Sequence, residues 1–75
     1  LVAAVRIQEL KVGDLGKIMS LTGSEYDLSR LSSLGLRGGA RIRMLRAGST
    51  CIVELDESRI CLRTGKDTQI LVQPA

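Results

Sequence analysis

Turn-forming clusters cut this chain into pieces too short for anything but small antiparallel strands and one helix. Gly13-Asp14, Thr22-Gly23, Gly38-Gly39, Ala47 to Thr50, Asp56-Glu57-Ser58 and Thr64 to Asp67 punctuate the 75 residues. Turn signals at roughly 8–12-residue intervals between apolar runs point to a small sandwich or barrel. Between them lie Leu15 to Leu21, Ala40 to Arg46, Cys51 to Leu55, Arg59 to Arg63 and Ile70 to Gln73, each read as a strand. Ala40 to Arg46 is the clearest. Ala40, Ile42 and Met44 alternate with Arg41, Arg43 and Leu45, the period of a half-buried strand. Ile7 to Val12 reads as an irregular lead-in. Tyr26 is the one aromatic residue, so Leu, Ile, Val and Met must fill the interior. Residues 1–75 are read as a single domain, mainly β with one short helix, a small antiparallel barrel.

The helix announces both its ends. Ser24-Glu25-Tyr26-Asp27 fits a capping box, with Ser24 accepting from the amide three residues on and Asp27 returning the bond. Acids in the first turn also suit the helix dipole. Leu28, Leu31 and Leu34 follow as one apolar stripe expected in the core. Gly35 ends the helix, because glycine takes the left-handed conformation without a side-chain clash, and Leu36 should fold back onto Leu31.

Chemistry is bounded by what is missing. The chain has no His, which removes imidazole as general base and as metal ligand, and no grouping of residues suggests catalysis. Cys51 and Cys61 sit on consecutive strands with opposite parity, so Cys51 should point inward and Cys61 outward. They should neither share an ion nor form a disulfide. The eight Asp and Glu residues are scattered, without the spacing of a calcium loop. No metal site is assigned from these residues.

Charge is concentrated. Residues 28–53 hold Arg30, Arg37, Arg41, Arg43 and Arg46 and no acid, while the flanking thirds each carry a slight acidic excess. Arginine suits bidentate contact with carboxylate or phosphate. Arg37, Arg41 and Arg43 are therefore candidate contacts for an acidic partner. Leu34 and Leu45 are candidate apolar contacts where a helix over one barrel end leaves them bare. Nucleic acid is disfavoured because base stacking needs aromatic platforms. A second copy of the chain is a further candidate partner, through an exposed strand edge. The longest uncharged apolar run, Leu1 to Val5, is far below the roughly 20 residues of a membrane span and does not resemble a signal peptide. No membrane insertion is expected, and the cytoplasm is the expected location.

Ile7-x-x-Leu10-x-x-Gly13-Asp14, then Ile18, then Arg30-Leu31-x-x-Leu34-Gly35-Leu36-x-x-Gly39-x-x-Ile42, then Ile60-x-Leu62-Arg63 and Ile70-x-Val72 stand in this order. The pattern resembles the ferrous iron transport protein A (FeoA) family over about residues 7–72. One departure is Asp67, where family members often carry a small residue. The resemblance implies an SH3-like barrel. It implies a small cytosolic accessory protein of ferrous iron uptake that docks on FeoB, a membrane iron transporter with a cytosolic GTPase domain. It also implies transition metal, iron or zinc, as a candidate cofactor, which the residues themselves do not support. The alternative is the C-terminal FeoA-like domain of a metal-dependent transcriptional repressor, kept open because the chain begins at Leu1 rather than Met.

Overall fold

In the computed structural model, which describes residues 3–63 and 68–75, the turns separate six strands and one α-helix. These are β1 (Val5–Arg6), β2 (Leu15–Thr22), α1 (Glu25–Ser33), β3 (Arg41–Arg46), β4 (Thr50–Leu55), β5 (Ser58–Arg63) and β6 (Gln69–Pro74). Five strands and the helix lie where alternation and capping place them. The turn expected at 64–67, with Asp67, lies outside the described residues. Unforeseen is β1, which pairs Val5 with Val72 and Arg6 with Leu71. Two residues are too few to display a period. A single 3-10 turn follows at Ile7–Glu9 and delivers Ile7 and Leu10 to the interior.

All neighbours are antiparallel in the order β1-β6-β2-β3-β4-β5. β2 to β5 follow one another, and β6 returns to lie between β1 and β2. Ile7 and Leu10 from one end of this order join Ile60 and Leu62 from the other in one buried cluster with Ile18, Met44, Val53 and Val72. One cluster fed from both ends requires the sheet to roll on itself, giving the small SH3-like fold. Gly16 faces inward on β2 and leaves room for the Val72 side chain of β6 against the strand.

β3 behaves as its alternation requires: Ile42 and Met44 are buried, Arg41 and Arg43 exposed. Bulges interrupt two ladders, between Ile18 and Ser20 and between Met44 and Arg46. An extra residue there loses its place in the alternation. Met19, next to the inward Ile18, is 42% exposed, while Leu45 is half-buried rather than out on the face with Arg41 and Arg43.

The helix keeps its expected ends and loses its expected face. Asp27 donates its backbone N–H to Ser24 Oγ at 3.1 Å. The reciprocal half of the box is absent. An aspartate is one methylene shorter than the glutamate that usually closes it, and Asp27 Oδ2 instead accepts from Thr68 Oγ1 at 3.0 Å, tying the helix to the start of β6. At the other end Leu36 N–H donates to Leu31 O and Gly35 N–H to Ser32 O, both at 2.9 Å, with Gly35 at φ +94°. That is a complete Schellman ending. Of the leucine stripe, however, only Leu31 is buried; Leu28 is half-buried and Leu34 is 44% exposed. The helix lies at the rim of the barrel, where one turn reaches the interior.

Candidate docking face

The outward residues of β2, β3 and β4 bring Lys17, Arg41, Arg43 and Glu54 together on one sheet face. Register sets Lys17 opposite Arg41 and Leu15 opposite Arg43 across β2 and β3, and Arg43 opposite Glu54 across β3 and β4. Arg43 Nε lies 4.0 Å from Glu54 Oε1, with both side chains about half exposed. Such a pair contributes at most about 1 kcal/mol. Lys17 and Arg41 are like charges directly opposite one another, a destabilising arrangement in a sheet. No carboxylate among the described residues forms an ion pair with either.

These side chains border a shallow cleft of about 650 Å³. Lys17, Arg41 and Arg43 are its basic lining, Glu54 and Asp56 its acidic lining, and Gln73, Pro74 and Ala75 line it from the end of β6 onward. Leu15, 47% exposed, supplies an apolar surface within it. The cleft has a polarity from β2 to β4, so it can orient an extended charged segment as well as hold one.

Two of the five residues expected from sequence, Arg41 and Arg43, meet in this cleft. Arg37 does not join them. Its guanidinium donates to the Ser32 carbonyl at 3.3 Å, closing the C-terminal turn of α1 beside the exposed Leu34. Cations at a helix C-terminus complement its free carbonyls. Leu45 is held in the β3 bulge. Lys17 and Leu15 were missed. Alternation around the inward Ile18 puts Lys17 outside, yet its position against Arg41 is a matter of register, which no local pattern states.

The thiols divide as parity requires. Cys51 is buried, and burial raises its thiol pKa above the ordinary value, whereas Cys61 is exposed. Both are free. Among the described residues no three His, Cys, Asp or Glu side chains converge. A transition metal held within the chain does not fit this donor set: there is no imidazole, one thiol is enclosed by aliphatic side chains, and the other faces away from it. No helix among the described residues is long and apolar enough to cross a membrane.

A six-stranded rolled sheet with one rim helix and an exposed charged face defines a small SH3-like β domain. Residues 5–74 match the FeoA domain model, so the chain belongs to the FeoA domain family. Among solved structures it is similar to the crystal structure of an iron uptake regulatory protein, FeoA, with a TM-score of 0.85 and 24% identity. That similarity covers 97% of this chain and 100% of the other. Among curated proteins, none matches this chain.

Proposed function

We propose that this chain is a small cytosolic accessory protein of ferrous iron uptake, acting by docking on the cytosolic part of an FeoB-type transporter. Membership of the FeoA family supports the process, and so does the likeness to a protein described as an iron uptake regulator. The observation that carries the docking is the juxtaposition of Lys17, Arg41 and Arg43 around a cleft on one sheet face. Lys17 and Arg41, which no described carboxylate pairs, and the half-exposed Arg43 beside them favour an acidic segment of the partner. Binding there would bias the transporter's conformation or nucleotide cycle. In this reading iron is the transporter's cargo and this chain holds no resident metal.

The test is capture from a membrane extract with wild-type protein and with the double variant Arg41→Glu, Arg43→Glu. Recovery of the iron transporter, reduced at least about tenfold by the double variant, is expected; tenfold corresponds to about 1.4 kcal/mol. Undiminished capture by the variant would retire the face. Recovery of DNA-linked proteins instead would favour the repressor-domain alternative.

A further inference from the structure

The strand order ends at β5. The loop between β4 and β5 is two residues long, Asp56-Glu57, with Leu55 facing Ser58. In an antiparallel ladder, pairs that exchange backbone hydrogen bonds alternate with pairs that do not. Counting from this tight turn, Ser58, Ile60 and Leu62 exchange bonds with Leu55, Val53 and Cys51. The N–H and C=O groups of Arg59, Cys61 and Arg63 therefore point away from β4. Among the described residues no strand pairs with that side. The side chains of the same three residues are exposed, whereas Ile60 and Leu62 are buried.

Open edges invite pairing, and proteins usually blunt them with proline, bulges or charge. β5 has no proline, and no register shift breaks its ladder with β4. What it has is arginine at both ends of the exposed row and no acid within the strand. Glu54 lies opposite Arg59 across the ladder but is engaged by Arg43. The two arginines are about 13 Å apart along the strand, from a rise of about 3.3 Å per residue. Like charges repel across a sheet and opposite charges attract. An edge built this way discourages neutral and basic strands and accepts an acidic one.

We propose that the β5 edge is a strand-addition site for an extended partner segment carrying carboxylates four residues apart. Its backbone completes the ladder at Arg59, Cys61 and Arg63, and its two acids pair with the flanking guanidiniums, as in other recognition by strand addition. This surface is separate from the β2–β3 cleft, so the two proposals stand or fall independently.

The probe is a short synthetic peptide alternating Val and Glu, compared with the same peptide carrying Gln for Glu. Backbone amide spectra of the full chain report where each binds. Expected is slowed hydrogen exchange at the Arg59, Cys61 and Arg63 amides on adding the Glu peptide. Affinity should be at least about tenfold lower for the Gln peptide and for the variant Arg59→Gln, Arg63→Gln, with Arg41→Glu leaving it unchanged. Equal binding of both peptides, shifts centred on β2 and β3, or no binding would overturn the proposal. So would protection of the same amides without peptide that rises with protein concentration, which would assign the edge to a second copy. If the double variant fails to fold, the comparison of the two peptides on the wild-type chain decides.

Discussion

β3 and α1 each carry apolar residues at regular spacing, and the two elements use them differently. Ile42 and Met44 of β3 are buried, whereas α1 buries only Leu31 of its three leucines. A strand with a neighbour on each side presents every inward residue to the same interior. A helix laid across the rim of a rolled sheet reaches that interior with one turn, whatever its stripe. The helix is held instead by its ends: the Ser24 cap, the Asp27–Thr68 bond, the Schellman closure and Arg37 on Ser32. Apolar burial supports the first region, and hydrogen bonding at its two ends the second.

The largest expected effect tests that contrast directly. Met44→Ala should cost about 2–5 kcal/mol, the usual range for emptying a packed site. Leu34→Ala should cost under about 1 kcal/mol, because its side chain is already 44% exposed. Urea denaturation midpoints read the difference. A domain of this size has only about 5 kcal/mol to lose, so if Met44→Ala does not refold, Ile42→Val, expected to cost about 0.5–1.5 kcal/mol, takes its place in the comparison. Equal costs at Leu34 and at the β3 positions would erase the contrast.

An intermediate effect is expected where the helix joins the sheet. Gly35 has φ +94°, and a methyl group there would sit 2.8 Å from Leu55 Cδ2. Gly35→Ala should cost about 1–2 kcal/mol from left-handed strain, with a further increment if Leu55 has no room to move. Leu55→Ala in the same background separates the two causes, since it removes the clash and leaves the strain. Should Gly35→Ala match the wild type in thermal unfolding, the helix end would owe nothing to the Schellman geometry.

The same contrast explains what could be read from sequence. Alternation from Arg41 to Met44 and the parity of Cys51 and Cys61 hold, because a period of two translates directly into inside and outside until a bulge interrupts it at Leu45. Ser24 and Gly35 were legible because capping is local chemistry. The stripe was expected in the core, yet Leu28 is only half-buried and Leu34 is bare, as its place among the candidate apolar contacts required; spacing on a helix does not state how much of it the sheet covers. Asp27 was expected to bond its own helix, and its actual partner, Thr68, lies forty-one residues away. At the candidate docking face Arg41 and Arg43 could be named as neighbours on one strand, but Lys17 joins them only through the β2–β3 register. Arg37, four positions before Arg41, instead closes the helix terminus.

The smallest effect expected distinguishes local bonding from burial by its pH dependence. Glu9 accepts the Arg6 amide at 3.0 Å and the Arg6 guanidinium at 3.2 Å, closing the turn after β1. The backbone bond first, and then the side-chain bond, hold its carboxyl below the ordinary 4.5. A carboxylate whose pKa is lower folded than unfolded stabilises the folded state above the unfolded value. That contribution fades as pH falls through the folded value. Glu9→Gln should therefore lower the melting temperature slightly near neutrality, with the gap from wild type closing in acid below the ordinary carboxylate range. The Met44→Ala gap should persist over the same range, since no titrating group is involved. Melting temperatures of the three proteins from neutral to acid pH make the comparison. A Glu9→Gln gap that stayed constant into acid would show that shape, rather than the charge of the carboxylate, secures the turn.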